Sequence, residues 1–344
     1  LEDSRQIRDT EAYDYINGLL TDAANKAGEG TLSFTAPGNP ADYRSLAWDA
    51  GRDRFLVGTV QDGAIVALSV DDEREVLLDP DAKNGIWSVD GLAVDPERQR
   101  LWVSSGATDQ YAGPTPADNN LGAVFELDLE SMEVLGRYNL PEDGLKHQPG
   151  GIALTDDGHV YVLNQAAPVV YRRTPDSENL ELFFGAPAFT GFRDIAVAPD
   201  NSRVYVVDAH KGILVMEPAS EQAALISGPE TMNLGGIGGI EYRDGALFLV
   251  QGGFEPQRVI RLELDDTGAV VESISPMAIA LDAFDRPAIS TIREKDLVYF
   301  ANTGAENATE IIAMATPLDA GAEVEPPGMA EFEKALRAKQ QQDS

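Results

Sequence analysis

The 344-residue chain has no cysteine. That absence removes disulfides, thiolate zinc sites and cysteine nucleophiles together. No apolar run approaches the ~18 residues a membrane-spanning helix needs, so no membrane insertion is expected. Basic residues are scarce: 26 Lys and Arg stand against 58 Asp and Glu, a formal net charge of −32. A field of that sign repels phosphate backbones and anionic lipid, which argues against a nucleic-acid partner. Histidine occurs three times, at His147, His159 and His210. No His-Glu-x-x-His, Walker loop or Gly-x-Ser-x-Gly pattern occurs. The sequence starts at Leu1 rather than Met, and we expect a periplasmic or secreted mature form.

What is present is a repeat. An apolar strand, a polar turn and a second apolar strand recur six times. The first strands carry Leu46-Ala47-Trp48, Leu92-Ala93-Val94, Ile152-Ala153-Leu154, Ile195-Ala196-Val197, Ile240-Glu241-Tyr242 and Ile289-Ser290-Thr291. Their starts lie 46, 60, 43, 45 and 49 residues apart, the length of a four-stranded propeller blade. The intervening turns, such as Asp156-Asp157-Gly158 and Pro199-Asp200-Asn201, are hairpin signals. The pattern predicts an all-β fold, a six-bladed β-propeller over residues 31–316. The sixth repeat lacks an outer strand of its own, and Thr31 to Ala36 is expected to supply it, leaving no open edge. Residues 1–30 are expected to form a helical extension, and 317–344 a charged helix and tail.

In such a fold two sets of residues are expected at one mouth of the central channel. The first precedes the inner strands: Arg44, Asp90, Gly150, Arg193, Gly238 and Pro287. The second closes the second strands: Thr59, Ser105, Asn164, Asp208, Gln251 and Asn302, all polar. This ring either caps strand ends or converges on a ligand. Arg44 and Arg193 come from opposite blades and could clamp a carboxylate or phosphate; pairing with Asp90, Asp194 or Asp208 is the alternative. The connection from Gly106 to Leu121, carrying Tyr111, is the longest on that face and reads as a lid or a tolerated insertion. His147 and His210 also fall on the mouth side, where a histidine base oriented by Asp208 is conceivable.

The repeats, and especially Leu46-Ala47-Trp48-Asp49, Asp90-Gly91-Leu92-Ala93-Val94-Asp95 and Ile195-Ala196-Val197-Ala198-Pro199-Asp200, resemble the senescence marker protein/gluconolactonase (regucalcin-like) propellers over roughly residues 31–315. That resemblance implies lactone-hydrolysing chemistry around one divalent cation held by Glu, Asn and Asp. The matching positions depart from the family pattern. Arg44 stands where the family has Glu, Arg193 where it has Asn, and Gly238 where it has Asp. Two cations at ligand positions repel a hard dication. We therefore expect no cofactor, and a site that binds a small, anionic or polar ligand through Arg44, Asp90, Ser105, Tyr111, Asn164, Arg193, Asp194, Gln251 and Asn302; a protein partner stays open. The alternative is a lactone or ester hydrolase. It would use a shifted cation such as calcium on Asp90, Asn164, Asp194 and Asp208, or a base drawn from His147 and His210 with Asp208.

Overall fold

The computed structural model describes residues 25–69, 74–79, 84–113, 121–185, 187–189, 191–229 and 232–321. Among them, six antiparallel sheets each provide four strands in blade order. The inner strands are Tyr43–Asp49, Ser88–Asp95, Pro149–Leu154, Phe192–Val197, Ile237–Arg243 and Ala288–Arg293. Each packs against the next, and the sixth packs back against the first, so the blades form a closed ring.

The near-continuous apolar runs of the sequence follow from this ring, because each strand is buried on both faces. In the second strand of blade four, Val204 and Val206 face blade three, while Tyr205 and Val207 face blade five. The same alternation in blade one sends Phe55 and Val57 towards blade six and Leu56 towards blade two. Six buried apolar clusters result among the described residues, one in each interface between neighbouring blades.

Closure is as the repeat implies. Thr31–Pro37 pairs antiparallel with Glu310–Pro317, from Thr31 opposite Ala315 to Pro37 opposite Glu310, and completes blade six. Blade five departs from the expectation. Its outer strand, Val271–Ile279, carries a fifth strand, Ala27–Gly28, on its edge. The end of the expected helical extension is therefore extended chain, since Ala27 and Gly28 find open backbone donors and acceptors on that edge. The rest of the expected N-terminal helix and the C-terminal helix and tail lie outside the described residues.

The inner strands converge so closely that side chains must be omitted where they meet. A Cβ at Gly91 would stand 2.4 Å from the Gly150 carbonyl oxygen, and one at Gly151 would stand 2.5 Å from Oδ1 of Asp194. Both distances are below van der Waals contact, so blades two, three and four close on one another through glycine. Gly91→Ala is expected to destabilise the protein by about 1–3 kcal/mol, the usual cost of overpacking. Chemical denaturation measures it, and a midpoint unchanged from wild type would refute the close-approach argument.

Candidate functional site

The ring encloses a channel of about 1130 Å³ that runs the length of the inner strands. Every inner strand breaks register with its neighbour near the mouth. The ladder skips Arg44 in blade one, Asp90 in blade two, Gly150 and Gly151 in blade three, Arg193 and Asp194 in blade four, Gly238 in blade five and Ile289 in blade six. Such bulges re-aim the skipped residues. Here they place Arg44, Asp90, Arg193 and Asp194 on the channel wall. Ile289 has φ +53°, a left-handed conformation costly for a β-branched residue.

The polar residues that close the second strands do not line the channel. The expectation that they ring the pore is corrected: the inner strand stands between them and the axis, and they fasten loops instead. Asn164 accepts the Gln148 and Ala166 amides (2.9 and 3.1 Å) and donates to the Lys146 carbonyl at 2.7 Å. Asp208 accepts the amides of Gly191, His210 and Lys211. Ser105 accepts the Trp87 amide at 2.8 Å, and Thr59 that of Ala64 at 3.0 Å. Asn302 spans the Ile312 amide and the Glu310 carbonyl. Gln251 donates to the Asn233 and Gly235 carbonyls and accepts from Arg258. All six are buried, and each satisfies backbone groups that a strand end would otherwise orphan.

The histidines separate. His210 is exposed and lines the channel mouth, and its amide rather than its ring is what donates to Asp208 in the contact just described. His147 is off the channel wall, with Nε2 3.4 Å from Oδ1 of Asp143. Tyr111 also lies off the wall. Its loop is tied to blade one by the Ala112 amide donating to the Gln61 carbonyl at 2.9 Å, and residues 114–120 of that loop are outside the described residues.

Arg44 and Arg193 face the channel from opposite blades, and both are exposed. Arg44 Nε donates to the Ala41 carbonyl at 3.3 Å. Among the described residues neither guanidinium lies within 4.0 Å of a carboxylate oxygen. Arg286, on the loop between blades five and six, lines the same mouth.

The same wall carries a second feature, a set of buried carboxyls. Asp194 Oδ1 accepts its neighbour's amide, Ile195, at 2.9 Å, and Oδ2 accepts the Ile240 amide of blade five at 3.0 Å. Burial pushes its carboxyl up to about 7, against the lowering effect of those two bonds. Glu241, on the next blade, is driven well above the usual carboxylate range by burial first and by the Asp194 charge second, with Ser290 Oγ 3.5 Å away as a weak donor. Asp90 is raised to about 6 by burial, offset by the Ser88 hydroxyl at 2.6 Å and by the charge of Arg44. Glu241 was missing from the sequence-derived site, although a signal existed. The middle position of the inner-strand triplets is Ala in blades one to four and Glu241 and Ser290 in blades five and six, and this row lines the channel.

The four residues expected of a shifted cation site are not brought together: Asp90 and Asp194 line the channel, whereas Asn164 and Asp208 fasten loops behind its wall. Two matched ligand positions carry guanidinium groups, which do not fit a divalent cation. No three His, Asp or Glu side chains gather as a metal cluster among the described residues.

No known family model matches the sequence, and no curated protein matches it. Solved structures do resemble it. The major allergen Mala s 1 of Malassezia sympodialis superposes with a TM-score of 0.63 at 13% identity, over 83% of this chain and 96% of that one. A gluconolactonase from Xanthomonas campestris gives 0.57 at 15% identity, over 82% and 87%. The PQQ-bound aldose sugar dehydrogenase of Streptomyces coelicolor gives 0.55 at 14% identity, over 85% and 100%. At these identities the likeness is one of fold. Among the described residues no helix is long and apolar enough to cross a membrane.

The raised carboxyls predict a pH dependence of stability. The unfolded chain releases these protons near pH ~4, whereas the folded protein holds that of Asp194 to about 7. Their contribution is thus complete below about pH 4 and lost as pH rises through about 7. Thermal melts between these limits should show a smaller fall for Asp194→Asn and Glu241→Gln than for wild type. Parallel curves for all three proteins would contradict it.

Proposed function

We propose that the protein binds a small anionic ligand at the channel mouth, held between Arg44 and Arg193. The observation that carries this reading is the pair of guanidinium groups, from opposite blades, facing one cavity with no carboxylate oxygen within 4.0 Å among the described residues. A guanidinium offers a planar fork of donors suited to carboxylate or phosphate. In a chain of net charge −32, these groups and Arg286 make the mouth a local positive focus. The names of two structural neighbours, a gluconolactonase and an aldose sugar dehydrogenase, support testing sugar-derived carboxylates first.

Isothermal titration of gluconate, citrate and inorganic phosphate tests the reading. Arg44→Ala and Arg193→Ala should each weaken binding about tenfold or more, the loss expected for a charged hydrogen bond of about 1.5–3 kcal/mol. Undiminished affinity in both variants would remove the proposal.

A second reading, hydrolysis of a lactone or ester, is favoured by one observation. Asp194 and Glu241 are channel carboxyls that burial pushes up, Asp194 to about 7, the direction suited to a general acid. In this reading water adds to the acyl carbon, one carboxylate takes the water proton, and the protonated partner supplies a proton to the departing oxygen. A metal plays no part, so turnover of a lactone panel should survive chelator and fall at least about a hundredfold in Glu241→Gln. Turnover abolished by chelator would overturn this route.

A further inference from the structure

The mouth arginines and the carboxyls of Asp194 and Glu241 line one cavity. Asp194 and Glu241 have no cation within ion-pair distance among the described residues. Asp194 is wedged between blades. Its Oδ1 occupies the space a Gly151 side chain would need, and its Oδ2 is fixed on the Ile240 amide. Glu241 stands on the strand that supplies that amide and reaches towards Ser290 of blade six. Neither carboxyl can turn to bulk water without breaking contacts between blades.

The remaining charged groups on the wall leave this pair on its own. Asp90, His210 and Arg286 belong to the mouth with Arg44 and Arg193, and Arg243 and Asp244 lie at the opposite end of the inner strand. Tyr43 and Tyr242 are the wall phenols. Blades three and six present Gly151 and Ser290 to the pair, neither of which titrates. An anion at the mouth offsets the Arg44 charge, which acts on Asp90. It also brings a negative charge into the cavity that two buried carboxyls without a cation partner share. That second effect favours a proton on the Asp194–Glu241 pair.

We propose that the channel takes up its anionic ligand together with a proton, held by the Asp194–Glu241 carboxyl pair. This inference rests on the mouth-binding reading above. Proton and ligand are thermodynamically linked: the ligand raises the affinity for the proton, and the proton raises the affinity for the ligand by the same factor. Binding is therefore tightest in mildly acidic solution and weakens as the pair ionises.

The test is titration of gluconate, which stays ionised throughout, from about pH 5.5 to 8.5 in buffers of different ionisation heat. Wild type should take up close to one proton, with Kd weakening by up to about tenfold per pH unit at the steepest point. Glu241→Gln and Asp194→Asn should flatten that slope while keeping affinity at the acidic end. His210→Gln should retain it. A slope lost in His210→Gln but kept in the carboxyl variants would overturn the assignment. A flat wild-type profile with intact binding would overturn the proton linkage and leave the mouth reading standing. No binding at any pH would remove both. Infrared spectroscopy supplies a direct check. A protonated-carboxyl band should grow when gluconate is added at neutral pH, and that growth should be lost in Glu241→Gln; a band unchanged on binding would overturn the inference.

Discussion

The structure depends on how closely six inner strands can approach one axis. Blades are wedges, and a ring of wedges closes only if its narrow edges carry little side-chain volume. Gly91 and Gly151 meet that demand directly, one against a backbone carbonyl and the other against a carboxylate. The small residues Ala47, Ala93, Ala153 and Ala196 continue the narrow edge along the channel. Away from the axis the wedges widen, and aromatic and branched side chains fill the interfaces between blades. This division of volume leaves the axial space open to polar groups and water.

The same geometry decides which polar residues can act on a ligand. Channel access belongs to residues on or skipped by the inner ladder, and the bulges mark where the skipping occurs. Arg44, Asp90, Arg193 and Asp194 are there because the inner strand bulges at each of these positions and re-aims the residue it skips. One layer further out, Asn164, Asp208 and their counterparts are polar too, but they are buried and fasten loop backbone. The result is a channel wall that carries both guanidinium groups and buried carboxyls whose pKa burial raises.

Much of the fold was legible in the sequence, because a strand buried on both faces reads as an uninterrupted apolar run and the turns between such runs recur at blade spacing. Leu46-Ala47-Trp48 and its five counterparts all fall on inner strands. The outer strand of blade five, Val271–Ile279, was not anticipated; Pro276 within it is an ordinary strand breaker, tolerated on an outer strand. The site was half legible. Arg44 and Arg193 could be placed from their offset to the repeat. The second-strand residues could not, since a polar residue ending a strand reads the same whether it faces a pore or fastens a loop. Glu241 required comparing blades at one position, where it replaces an alanine and so brings a carboxyl into a row otherwise devoid of charge.

The pairing of Thr31–Pro37 with Glu310–Pro317 has a consequence for biosynthesis. Thr31–Pro37 precedes all four strands of blade one yet belongs to the last blade, and its pairing partners follow 273 to 284 residues later by the numbering of that pairing. Phe34 meets Phe55 of blade one, with ring centroids 4.8 Å apart, but until then it lacks the blade-six half of its interface, Val298, Phe300 and Ile311. Pairing over so long a loop is slow because chain entropy must be surrendered before contacts repay it. Assembly thus ends with a single late fastening step, during which the nascent ring exposes one adhesive edge to every other chain around it.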